Sequence, residues 1–188
     1  MTWQIISLAD VAPSPWKNGG GVTRELVAWQ SAQDWVWRMS VAEVASDGPF
    51  SRFDGVQRWF AVLGGAGVRL DRGPQAQAHN LTPHSAPLCF AGEEPVYCTL
   101  IAGATQDFNL MLRRGAAGGR MLRLDGTFSD ATQAEKIIAV YAVDKCASVS
   151  VDGQVLDLPP CTLAWRHCPA RTRLQVTAEH ALWMEITP

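Results

Sequence analysis

Three arginines stand in the middle of apolar stretches: Arg24 in VTRELVAW (22–29), Arg38 in WVWRMSVAEV (35–44) and Arg58 in VQRWFAVL (56–63). A guanidinium offers its N–H donors as a rigid fork that matches a carboxylate or phosphate through two parallel hydrogen bonds. Three such forks converging from neighbouring segments would hold a small anion. The plainer use of each is also open, with the stem covering apolar surface and the head in water. Asp107 and Asn109, in DFNLML (107–112), either complete such a site or pair with an arginine as a structural contact. Nearer the N-terminus, PWKNGGGVTRE (15–25) sets Lys17 and Asn18 before three glycines. Glycine loses much backbone entropy on folding and suits neither helix nor strand interiors. The run therefore reads as a loop that bends sharply or lies against something, a ligand or another strand.

Other chemistries find less support. Metal sites in β proteins need histidines and carboxylates at close strand spacing. The four histidines are His79, His84, His167 and His180; the first two lie in HNLTPH, and no HxH occurs. No metal and no other cofactor is expected. The five cysteines contain no CxxC and read as reduced, mostly buried thiols of a cytoplasmic protein. No GxSxG is present, and GGAG (64–67) reads as a hairpin, without the GxGxxG order of a dinucleotide site. Glu25 and Glu43 are the candidate general bases, though a lone strand glutamate is ordinarily solvated. No catalytic residue is assigned. Net charge is only −2 with no basic run, which argues against nucleic acid and acidic membranes as partners. MTWQIISLADVAP lacks the form of a signal peptide, and IIAVYAV (137–143) is too short to span a bilayer.

Positioning these residues falls to strands. Alternating or continuous apolar runs also occur at GVRL (67–70), VYCTLI (96–101), IIAVYAV, ASVSV (147–151), QVLDL (154–158), TLAWRH (162–167), RLQVTA (173–178) and ALWMEI (181–186). Short strands at this spacing, punctuated by Gly, Pro, Asp and Asn, predict an all-β sandwich or barrel. One short helix is expected near Ser129–Lys136. Glycine-rich Arg113–Arg120 reads as the seam between a larger and a smaller half. Eight tryptophans supply large rings for a wide interior. Strand alternation separates Arg38 and Ser40 from Trp37, Met39 and Val41, groups Arg58 with Phe60 and Val62, sets Arg24 beside Val22 and Leu26, and groups Asp107, Asn109 and Met111.

PWKNGGGVTRE also resembles the signature of the HutD/Ves family, small bacterial proteins associated with histidine utilisation. The resemblance continues in order through WRMSVAEVASDGPFSRFDGVQRWFAVLGGAGVRL (37–70) and FAGEEPVYCTLIAGATQDFNLMLRRG (90–115). It implies a bicupin-like fold, a first cupin-like barrel over 1–115 and a smaller one over 116–188, with strand exchange between halves allowed. It implies a metal-free site and no established catalysis. Carried over motif by motif, it marks Lys17, Asn18, Gly19, Gly20, Arg24, Arg38, Ser46, Asp47, Arg58, Asp107, Asn109 and Arg113 as ligand-binding candidates. The glycines would bring backbone N–H groups to an anion as a nest, or serve a bulge where only glycine fits. Two departures from the family's pattern, Glu93 in place of aspartate and Asp54 in place of proline, bear on loop shape and ligand choice.

The expected function is binding of a small anionic metabolite, an N-substituted glutamate such as formylglutamate or formiminoglutamate, as a sensor or regulator of histidine utilisation. A metal-free cupin enzyme, hydrolase or isomerase, on the same metabolite is the alternative, and a protein-interaction module the third reading. A homodimer is compatible with the exposed edges of an all-β domain.

Overall fold

Apolar residues recur at alternate positions, and strand side chains alternate between faces, so each run buries a face only by pairing into a sheet. A computed structural model describes residues 2–74 and 76–187. Among these residues there are seventeen strands, one 3-10 turn at Leu8–Asp10 and no α-helix. The strands are β1 (Gln4–Ser7), β2 (Ser14–Pro15), β3 (Gly21–Trp29), β4 (Trp37–Val44), β5 (Gly48–Pro49) and β6 (Val56–Gly64). They continue with β7 (Val68–Asp71), β8 (His79–Leu81), β9 (Leu88–Ala91), β10 (Tyr97–Leu100), β11 (Thr105–Arg113) and β12 (Gly118–Ala131). The last five are β13 (Lys136–Ala142), β14 (Ala147–Val151), β15 (Gln154–Leu158), β16 (Thr162–Cys168) and β17 (Arg173–Thr187). No helix among the described residues is long and apolar enough to cross a membrane.

The chain divides into two units, Val11–Ala116 and a second made of Met1–Asp10 with Ala117–Pro188. The break falls inside Arg113–Arg120. The first ten residues, grouped by sequence with 11–115, belong instead to the later unit, because β1 pairs with β16 from Gln4 opposite Trp165 to Ser7 opposite Thr162.

In that later unit one sheet runs β1-β16-β13-β17-β14-β15, with β12 also on β17. The N-terminal half of β17 pairs with β14 and its C-terminal half with β13, so the sheet curls around its longest strand. Ile138, Val140, Val149, Val176 and Trp183 fill its interior. Its buried carboxylate is fully partnered. Against the upward push of burial, Glu185 is held at about 2 by hydrogen bonds from Lys136, Arg120 and Trp183.

Two expectations fail here. No helix forms at Ser129–Lys136: Ser129 and Asp130 pair with Gln175 and Leu174, and Thr132 is tied to Pro169 and Thr172. Long-range pairing overrides the local preference. RLQVTA and ALWMEI are one strand, β17, irregular opposite Leu124–Gly126. β12 escaped sequence reading because its glycines and charges mask a weak alternation.

The unit Val11–Ala116 has two sheets, β2-β3-β4-β11-β6-β9 and β5-β10-β7-β8. Val44, Phe60, Val62 and Phe90 of the first pack with Val68, Leu70, Leu81 and Cys98 of the second. The inward face of the larger sheet carries the site.

Candidate functional site

Register decides which polar groups meet. On the inward face β11 presents Asp107, Asn109 and Met111 between β4 and β6. Directly paired residues in an antiparallel sheet share a face, which sorts the side chains into three rows. Met111 lies between Arg38 and Arg58, Asn109 between Ser40 and Phe60, and Asp107 between Ala42 and Val62. The two arginines flank the first row, and the last sets Asp107 between two apolar neighbours.

A cavity of about 490 Å³ opens over the first two rows. Arg38, Arg58, Ser40 and Asn109 supply polar wall; Phe50, Phe53, Phe60, Met111 and Trp16 supply apolar wall; Lys17, Asn18 and Thr23 lie along the loop side. Apolar walls with a few convergent polar groups are the usual form of a small-ligand site.

Arg58 is 5% exposed. Nη2 donates to Asn109 Oδ1 at 2.8 Å and Nη1 to the Ser51 carbonyl at 3.3 Å. Nε has no partner. Three rings surround the guanidinium, with Cζ 5.1 Å from the Phe50 and Phe90 centroids and 5.6 Å from that of Phe53. All these contacts are neutral. Burial, with the Arg38 charge adding to it, pushes Arg58 down to about 10. Arg38 differs: its Nε donates to Glu25 Oε2 at 2.5 Å, and Nη1 lies 3.9 Å from Met111 Sδ.

Asp107 is fully buried below the cavity and does not line it. Burial raises its carboxyl to about 7 against a 2.9 Å hydrogen bond from Thr105, and its Oδ1 has no partner. Burial, reinforced by Asp107, also lifts the neighbouring Cys98 thiol to about 12.

The glycine run has a structural explanation. Gly19 has φ +70°, and its N–H donates to the Trp16 carbonyl at 3.0 Å. The Gly20 N–H donates to Asn18 Oδ1 at 3.1 Å. A Cβ on Gly21 would lie 2.2 Å from the Glu43 carbonyl oxygen, so β3 approaches β4 more closely there than any other residue permits. These two N–H groups are spent inside the loop. The loop instead aims Lys17 and Asn18 at the cavity, while Trp16 Nε1 donates to Thr23 Oγ1 at 2.7 Å.

Of the sequence candidates, Lys17, Asn18, Arg38, Arg58 and Asn109 come together around the cavity. Gly19, Gly20, Arg24, Ser46, Asp47, Asp107 and Arg113 do not line it. Arg24 pairs with Val41 on the opposite face and donates to the Val11 carbonyl at 2.6 Å. Ser46 lies beside Gly20, and Asp47 accepts from the Leu100 N–H at 2.8 Å. Arg113 ends β11 against the Trp35 carbonyl and Asp34. Ser40 and Met111 were within reach of sequence, being two positions from Arg38 and Asn109 on the same face. Phe50, Ser51 and Phe53 sit in a loop with no periodic signal. Among the described residues no group of three His, Cys, Asp or Glu side chains could hold a metal ion.

The curled all-β sheets are a cupin-like architecture. Oxalate decarboxylase of Bacillus subtilis shares it as fold alone, with a TM-score of 0.60 at 10% identity over 97% of this chain and 76% of that one. The family model described as HutD matches residues 8–184, and the chain belongs to the HutD family. A Pseudomonas putida protein named for the hutC 3′ region is 35% identical over 153 residues, 80% of this chain and 79% of that protein. Protein Ves of Citrobacter koseri is 40% identical over 116 residues, 61% of this chain and 60% of that protein. HutD of Pseudomonas fluorescens SBW25, solved in a formate condition, has a TM-score of 0.84 at 28% identity over 99% of this chain and 98% of that one.

Proposed function

We propose that this protein binds a small anionic metabolite, an N-substituted glutamate such as formylglutamate or formiminoglutamate, and reports its level to histidine utilisation in the cytoplasm. One observation carries the reading. Arg58 is a buried cation in a cavity wall with no carboxylate partner among the described residues. A buried charge is ordinarily paired, and the missing anion is supplied by a ligand. The name of the Pseudomonas putida relative, which puts it in the hutC 3′ region, supports a role in histidine utilisation. Binding is favoured over turnover because Glu25, a candidate base, is committed to Arg38, Glu43 lies exposed and does not line the cavity, and Asp107, whose carboxyl is raised by burial, lies outside the lining.

Calorimetric titration at pH 7 with formylglutamate, formiminoglutamate, glutamate, citrate and a sugar phosphate tests the proposal. Tightest binding by the two N-substituted glutamates is expected. Equal binding of the sugar phosphate, or no heat from any carboxylate, overturns it.

A further inference from the structure

The two arginines of the cavity are not equivalent. Both pair with Met111, from opposite sides, so their Cα atoms stand two strand spacings apart, about 10 Å. Arg58 meets only neutral groups. Arg38 carries Glu25 on its Nε at 2.5 Å, with the two side chains 18% and 36% exposed. Glu25 does not line the cavity, and it reaches a ligand there as a charge held behind Arg38. Nη2 of Arg38 has no partner among the described residues, and Nη1 has only the weak 3.9 Å contact to sulfur. Arg38 therefore keeps N–H donors for the cavity while Glu25 pairs its charge on the far edge. A second carboxylate placed there would meet the field of Glu25; a carbonyl oxygen would not.

We propose that the cavity holds two subsites of unlike charge, Arg58 taking a carboxylate and the Glu25-compensated Arg38 taking a neutral oxygen acceptor such as an amide or formyl carbonyl. The inference rests on the anion-binding reading above and assigns the ends of its ligand. The N-acyl oxygen of an N-substituted glutamate lies on Arg38, one carboxylate on Arg58, and the other on Lys17, a cavity-lining cation with no ion-pair partner among the described residues.

Glutarate and glutaramate, its monoamide, have the same length and differ by one charge. Their affinities are measured by calorimetry in Lys17→Met protein, which removes the loop cation, and in the Lys17→Met/Glu25→Gln double variant. Glutamine at position 25 keeps an oxygen for Arg38 Nε and removes the charge. Glutaramate is expected to bind more tightly than glutarate with Glu25 present. Adding Glu25→Gln is expected to shift the ratio by tenfold or more towards glutarate. A ratio that moves less than threefold overturns the subsite assignment, as does a tenfold preference for glutarate while Glu25 is present. Arg58→Met in the same background separates the two readings. If glutaramate binding survives that change, the Arg58 anion site itself is wrong; if it is lost while the ratio ignores Glu25, only the division into subsites fails.

Discussion

Arg58→Met separates a residue kept for binding from one kept for stability. Burial lowers the Arg58 guanidinium from its ordinary 12.5 to about 10, a cost of about 3 kcal/mol on the charged form. The group is charged at pH 7 in both folded and unfolded chains. The folded protein therefore carries the whole cost at every pH below about 10 and is relieved only as pH rises beyond that value. Methionine fills similar length without charge. It forfeits the hydrogen bonds to Asn109 and Ser51 and the contacts with three phenylalanine rings, together about 2 kcal/mol once the freed acceptors reach cavity water. The balance is a gain of about 1 kcal/mol, or about 2–4 °C in Tm for a chain of this size. Ligand at a hundred times its Kd adds about 2.7 kcal/mol to the wild-type protein and nothing to the variant. Thermal denaturation at pH 7, with and without formylglutamate, reads both effects. A variant less stable by 4 °C or more that still shifts with ligand would refute the reasoning, since Arg58 would then be a structural residue.

Asp107 gives a pH signature of its own. Its folded pKa of about 7 stands above the ordinary 3.8, so the native state holds the proton more tightly than the unfolded chain. The resulting penalty is absent below the unfolded value, grows as pH rises, and is complete above pH 7 at up to about 4 kcal/mol. Urea midpoints at pH 5 and pH 8 should fall for wild type and stay level for Asp107→Asn; parallel behaviour of the two would refute the assignment. Gly21→Ala forces a Cβ to 2.2 Å from the Glu43 carbonyl oxygen and should cost more than about 2 kcal/mol. Gly64→Ala, with nothing within 4 Å of its added Cβ, should cost less than about 1 kcal/mol. Equal losses in thermal denaturation would remove the steric account of the glycine run.

Much of the fold is legible along the chain, because strand alternation is a local property. β14 and β15 coincide with the apolar runs ASVSV and QVLDL, and the grouping of Asp107, Asn109 and Met111 on one face follows from parity alone. Parity also separates Arg38 from Trp37 and Met39, and Arg58 from Trp59. It cannot say which of two faces turns inward. Arg24 matches Arg38 and Arg58 in type and setting, yet pairing with Val41 sends it to the other side, while Thr23 and Glu25 face the site. A shift of one residue in pairing exchanges every side chain between faces, and pairing is a long-range choice. The same holds for β12, whose partner β17 lies some fifty residues further on.

Residue type and alternation alone place arginines within the strands of an all-β chain, because both are local properties of the sequence. Tertiary structure alone distinguishes its arginines. Arg58 is buried among rings with no counter-charge among the described residues, Arg38 is paired with Glu25, and Arg24 is spent on a carbonyl. The three look alike in sequence because a charge acquires its chemistry from what lies within a few ångströms of it, and those neighbours come from strands far apart in the chain.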